Sequence, residues 1–177
     1  LLVYKEMITL IRKFKLRILK IAKFLSSQGI IRTIALYMLF IFKKIIKDRV
    51  FNNIIFPFKC SHNFIFYARI DDSWRFIEHF EPKTIAFLRK ITRRDDVVFD
   101  IGAHIGIHTV HLAKAAKLVV AVEPEPQNVI LLKRNIKANN LNNVIILPVA
   151  ASNTNGIAEL YVSNVSGAHT LEPSKAH

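Results

Sequence analysis

VVFDIGAHIG, residues 97–106, is the stretch that decides the fold. Val97, Val98 and Phe99 form a short apolar run of the kind buried on both faces of a parallel sheet. Two glycines follow, Gly102 and Gly106, and then a helical stretch to about Lys117. A glycine turn between a buried strand and a helix lets the backbone approach a ligand closely. A dinucleotide-binding loop would read Gly-x-Gly-x-x-Gly, but His104 holds the middle position, so the pyrophosphate signature is absent. What remains is an acid at the strand end, Asp100, and two glycines four residues apart.

The same rhythm continues toward the C-terminus. Leu118 to Val122 is a second apolar run, ending in Glu123-Pro124-Glu125-Pro126; a helix is expected from about Gln127 to Asn139, and a third buried strand from Val144 to Val149. The order βαβαβ predicts a parallel α/β sheet. Ile157 to Val162 alternates and is expected to form an edge strand. Ligands in such sheets sit beyond the carboxyl ends of the strands, where an acid such as Glu123 can accept two hydrogen bonds from a ribose diol. The loop therefore favours a nucleoside without a diphosphate. Upstream, residues 52–58 and 63–70 predict an antiparallel pair, and Pro82 opens a helix carrying Ile85, Ala86, Leu88 and Ile91.

The ordered runs VVFDIGAHIGIHTVHLAK (97–114), VVAVEPEPQNVILLKRNIKANNL (119–141) and VIILPVAASNTNG (144–156), with ARIDDSW (68–74) before them, resemble the FkbM family of class I S-adenosylmethionine-dependent methyltransferases. The resemblance covers about residues 63–177. It implies a Rossmann-like class I methyltransferase sheet, S-adenosylmethionine as cofactor, and O-methylation of a small-molecule or glycan hydroxyl. Asp100, Gly102, Ala103, His104 and Gly106 then match the loop beside the methionine and ribose, and Glu123 the ribose-diol acid; Asn128 at the helix start is expected only to cap. The resemblance identifies no catalytic base. The family's later strands find no match, so only the N-terminal half of the sheet is expected, over residues 61–177. Its first strand would then be a sheet edge with an uncovered apolar face. The chain begins with Leu1 and ends at His177 without a closing element, so an incomplete protein is expected.

Composition sets the outer bounds. The chain has 177 residues, 51% hydrophobic, enough for one domain. Its net charge of +13 is concentrated at one end, because residues 1–50 hold 12 Lys/Arg against Glu6 and Asp48. Over residues 1–25, Lys5, Arg12, Lys13, Lys20 and Lys23 fall opposite Val3, Met7, Leu10, Phe14 and Ile18, the pattern of a basic amphipathic helix. Residues 1–60 are thus expected to form a helical extension, either packed on the domain or in peripheral contact with an anionic membrane. A non-catalytic remnant acting through this segment is the alternative to an enzyme. The uninterrupted apolar core from Thr33 to Phe42 is about half of what a membrane span needs. With no export signal in view, a cytoplasmic location is expected. Aromatic residues here do not alternate with Lys/Arg as a base-stacking platform would, so nucleic acid is not expected as a partner.

Other residues invite sharper readings. His104, His108 and His111 lie at helical spacing, yet no local Asp, Glu or Cys joins them, and no metal site is expected. Cys60 is the only cysteine, which excludes an internal disulfide. Trp74 is expected to anchor the hairpin, and His169-Thr170 is a weaker candidate for facing an acceptor.

Overall fold

The computed structural model describes Gly29, Ile34 and residues 55–60, 63–69, 72, 81–162 and 169–171. Most of the expected extension, together with Trp74, lies outside the described residues. Within 1–60, residues 55–59 form strand β1 (Ile55–Lys59), which pairs antiparallel with β2 (Ile65–Arg69). Helix α1 (Pro82–Ile91) follows, and then the alternating unit: β3 (Val97–Ile101), α2 (Ile107–Ala113), β4 (Leu118–Val122), α3 (Pro126–Ala138) and β5 (Val144–Leu147). The three strands are parallel in the order β3-β4-β5. This is the Rossmann-like α/β sheet expected from the apolar runs, with an α/β crossover between each pair of neighbours. No helix of the described residues is long and apolar enough to cross a membrane.

One face of the sheet is covered. Ala121 packs with Ala103, Leu132 and Ile136 beneath α3, and Val119 with Leu112, Ala113 and Ala116 beneath α2. Beyond the two helices lies the hairpin, where Phe58, Phe66 and Ala68 close on Ile105, Ile107, Val110 and Leu131. On the opposite face Val97, Phe99 and Ile101 of β3, and Ile145 and Leu147 of β5, are exposed, whereas Val120 and Val122 of the central strand are buried. Among the described residues β4 is the one strand neighbour of β3, whose outward apolar side chains are exposed.

The edge strand expected over residues 157–162 does not form. Among the described residues this run makes a single antiparallel bridge, Tyr161 with Thr170, and Ile157 is fully exposed. Alternation gives a strand its two faces but not a partner, and β5 is not extended toward this run.

Hairpin and helix layer meet through an unusual ladder. The N–H and C=O of Ile65 and Tyr67 point to α3, where two asparagines one turn apart receive them. Asn139 Oδ1 accepts from Ile65 N at 2.9 Å and its Nδ2 donates to Ile65 O at 2.7 Å. Asn135 Oδ1 accepts from Tyr67 N at 2.6 Å, while its Nδ2 donates to Tyr67 O at 3.1 Å and to Ile105 O at 2.7 Å. Two strand residues rise about 6.7 Å and four helical residues about 6 Å, so the two spacings match closely enough for both pairs to form. Arg134, the neighbour of Asn135, sets its guanidinium 3.7 Å from the Tyr67 ring centroid, adding a cation–π contact. Replacing Asn135 by leucine keeps the branched outline in a larger side chain but strands three buried or part-buried polar groups, Tyr67 N, Tyr67 O and Ile105 O. Asn135→Leu should cost about 3 kcal/mol of stability in urea unfolding; a loss below about 1 kcal/mol would show that the ladder contributes little.

Candidate functional site

The carboxyl ends of β3 and β4 lie side by side and carry the two features singled out in the sequence. Gly102 N and Ala103 N both donate to Val122 O, at 2.9 and 3.0 Å, tying the turn to the end of β4. The turn needs left-handed backbone at three places: Gly102 (φ 78), His104 (φ 54) and Gly106 (φ 88). The two glycines serve different ends. A Cβ on Gly106 would strike Leu132 Cδ1 in the core, whereas one on Gly102 would meet nothing within 4 Å. Gly106 is thus fixed by helix packing, and Gly102 leaves open space on the ligand side.

That space is a cavity of about 270 Å³. Gly102, His104, Glu123 and Asn128 form one wall, Ala150 and Ala151 follow β5, and His169 and Thr170 line it from the C-terminal segment. Of the six residues assigned to the cofactor from sequence, Gly102, His104 and Glu123 meet at this wall. The other three stand behind it. Asp100 Oδ2 accepts from Thr109 Oγ1 at 2.5 Å, Ala103 is buried against α3, and Gly106 starts α2. They shape the turn rather than line the cavity.

Glu123 is 5% exposed and its carboxylate is already gripped by the protein. Oε2 accepts from His104 N at 2.8 Å; Oε1 accepts from Glu125 N at 3.1 Å and Asn128 Nδ2 at 3.2 Å. A carboxylate offers about four lone-pair positions, so about one is left for a ligand hydroxyl. That leaves room for one direct bond rather than the two expected for a diol.

Asn128 does more than the capping expected of it. The cap of α3 is Glu125, which accepts from Gln127 N at 2.9 Å and Asn128 N at 2.6 Å. The Asn128 side chain, fully buried, instead joins Glu123 to Arg69, whose Nη2 donates to Asn128 Oδ1 at 2.6 Å. Sequence reading missed Arg69 and Asp72 as site residues. Their only signal was the run ARIDDSW, which has no chemical motif of its own.

The three histidines have separate surroundings. His104 Nε2 lies 3.8 Å from Asp72 Oδ1, His108 Nε2 lies 3.6 Å from Glu81 Oε2, and His111 is buried edge-on to Phe64 with ring centroids 4.9 Å apart. No group of three metal-ligating side chains occurs among the described residues. Burial pushes the Cys60 thiol up to about 12, so it stays protonated and is no nucleophile at neutral pH.

Comparison with known proteins adds the chemistry. Residues 73–163 match the TRM5/TYW2 methyltransferase domain. A tRNA(Phe) (4-demethylwyosine(37)-C(7)) aminocarboxypropyltransferase of Methanocaldococcus jannaschii is 45% identical over 75 residues, which are 41% of this chain and 28% of that protein. The tRNA (guanine(37)-N(1))-methyltransferase Trm5b of Pyrococcus abyssi is 41% identical over 56 residues, 32% of this chain and 17% of that one. Among solved structures, the M. jannaschii tRNA m1G37 methyltransferase aligns over 55% of this chain and 30% of its own, at 23% identity and a TM-score of 0.42. The chain thus spans less than a third of the length of the curated relatives it matches.

Two expectations change. The matching family is not FkbM; an Asp-x-Gly turn and a strand-end acid report the cofactor, which class I methyltransferases share, and not the acceptor. The expectation that nucleic acid is no partner is overturned by relatives that are named as tRNA-modifying enzymes. Alternation of aromatic and basic residues tests only for single-strand stacking, whereas a folded RNA is held largely through its phosphates and shape.

Both glycine substitutions place a side chain in left-handed backbone, at a cost of roughly 1–2 kcal/mol. Gly106→Ala must also displace Leu132 and should lose about 1 kcal/mol more than Gly102→Ala in urea unfolding; equal losses would contradict the packing role. Cys60, with its thiol raised from 9.0 to about 12, carries roughly a thousandfold less thiolate at pH 8 than an ordinary cysteine. Iodoacetamide should label it only in urea at that pH, and rapid labelling of the folded chain would refute the assignment.

Proposed function

The chain belongs to the TRM5/TYW2 methyltransferase domain family, and we propose that it binds S-adenosylmethionine in the cavity beside the Gly102–Gly106 turn and directs its methyl group to a nucleobase of a folded RNA. The observation that carries the cofactor part is the pairing of Gly102, with open space where a Cβ would stand, and Glu123, a buried carboxylate on the same cavity wall. These residues fit a nucleoside: Gly102 gives backbone access, and the remaining lone pair of Glu123 accepts from one ribose hydroxyl. Asp100, Ala103, His104 and Gly106 are assigned to the turn that holds this geometry. The bound cofactor supplies an activated methyl on its sulfonium, which leaves orientation and exclusion of water to the protein.

RNA as acceptor is supported by the tRNA-modifying relatives and by the charge of +13, which attracts a polyphosphate backbone. A second reading, transfer to a hydroxyl of a small molecule or glycan, is favoured by the motif order over residues 97–156, which resembles the FkbM methyltransferases.

Calorimetric titration of the full chain with S-adenosylmethionine tests the cofactor site. Glu123→Ala should weaken binding about 10- to 100-fold, as expected for one hydrogen bond to a charged group; unchanged affinity would sink the assignment. Incubation with methyl-labelled cofactor and tRNA transcripts tests the acceptor. Label in RNA, with a mass gain of one methyl on a base, supports the reading, and label confined to glycan or small-molecule hydroxyls replaces it with the second.

A further inference from the structure

Around Glu123 the polar side chains form a closed circuit that draws on three separate parts of the chain. Asn128 Nδ2 donates to Glu123 Oε1 at 3.2 Å, and Arg69 Nη2 donates to Asn128 Oδ1 at 2.6 Å. Arg69 Nε donates to Asp72 Oδ2 at 3.2 Å, Asp72 Oδ1 stands 3.8 Å from His104 Nε2, and His104 N donates to Glu123 Oε2 at 2.8 Å. Arg69 Nη1 also lies 3.9 Å from Glu125 Oε2, the carboxylate that caps α3. Asp72 and Asn128 are fully buried, and Arg69 is largely so. The hairpin end thus reaches both flanks of the cofactor acid, one through Asn128 and the other through His104.

An amide side chain can turn either its oxygen or its nitrogen toward a neighbour. Here the Arg69 guanidinium, a pure donor, settles the matter: Asn128 must present its oxygen to Arg69 and hence its nitrogen to Glu123. Were the amide reversed, an oxygen would face the Glu123 carboxylate and a nitrogen would face the guanidinium, two repulsive contacts in a buried place. Arg69 can also hold Asp72 with a different nitrogen at the same time, because its donors lie in one rigid plane.

We infer that Arg69 is a positioning residue for nucleoside recognition: through Asn128 and the Asp72–His104 contact it orients Glu123 so that the free lone pair meets the ribose hydroxyl. This rests on the reading of Glu123 as the ribose acid given above. Arg69 itself touches no ligand in this account. It makes the affinity for the ribose hydroxyl depend on how the hairpin is docked.

The test compares binding of S-adenosylhomocysteine with that of its 2′-deoxyribose analogue to the full chain, by calorimetry, alongside thermal unfolding. A correctly held Glu123 should prefer the ribose ligand by about tenfold or more. Arg69→Met should bring that preference close to unity. Arg69→Lys keeps the charge but cannot bridge Asn128 and Asp72 together, and it should fall between the two; it carries the comparison if Arg69→Met does not fold. A merely structural role would weaken both ligands equally and leave the ratio intact, and that result, like an unchanged ratio at unchanged affinity, overturns the inference. Glu123→Gln separates the two levels. If it abolishes the preference while Arg69→Met retains it, only the role of Arg69 fails; if the wild-type chain shows no preference and Glu123→Gln changes nothing, the reading of Glu123 fails and this inference falls with it.

Discussion

Three asparagines on one side of α3 hold the molecule's layers in register. Asn139 and Asn135 complete the backbone hydrogen bonds of Ile65 and Tyr67, and Asn128, two further turns toward the N-terminus, meets Arg69 at the end of the same strand. Strand and helix run past each other at similar rises for the first two pairs. At the third, seven helical residues span about 10.5 Å against about 6.7 Å for two strand residues, and the long arginine side chain makes up the difference. A strand edge that would otherwise expose unpaired N–H and C=O groups is closed by side chains of a helix rather than by another strand. The apolar cluster of Phe58, Phe66, Val110 and Leu131 can then close beneath it.

The site inherits its order from this docking. Backbone constraints alone put Gly102 and Glu123 beside each other, because β3 and β4 are parallel neighbours in register and both end at the same edge of the sheet. Side-chain orientation at Glu123 needs more. A carboxylate with freedom about its last torsion would present either oxygen to a ligand, and three internal donors remove that freedom before any ligand arrives. Such preorganisation lowers the ordering cost of binding. It also explains why the carboxylate tolerates near-complete burial, since its charge is met by N–H dipoles from two backbone positions and one amide.

Legibility in the sequence divides along the same line. The apolar runs at residues 97–99, 118–122 and 144–149 announced the parallel strands, the last of which ends at Leu147, and the glycine spacing announced the turn, because each reflects a local backbone requirement. The strand expected at 157–162 failed because alternation specifies a face and not a neighbour. Arg69, Asp72 and the asparagines were invisible for a related reason. Their partners lie up to 74 residues away, and an asparagine that bridges a strand to a helix looks in sequence like one that ends a helix. Asn128 was read as a cap when Glu125 does the capping. Of the site, the residues that shape the turn were readable, and the residues that orient its acid were not.

The acceptor class is illegible in the sequence for a deeper reason. A cofactor is small and rigid, and recognising it imposes fixed requirements on a few backbone positions, which recur wherever the cofactor does. A folded RNA imposes no such local pattern. Its affinity comes mainly from phosphate charge summed over a broad surface, and specificity from a few base contacts placed by the whole fold. Positive charge is the signal the sequence does carry, with residues 1–50 contributing 12 of the 26 basic side chains, and it attracts lipid phosphate and RNA phosphate alike. Charge density without periodicity distinguishes a partner's sign but not its kind. On the proposed reading, with relatives named for tRNA modification, the same density would supply the sequence-independent part of RNA binding, while the circuit around Glu123 would hold the cofactor.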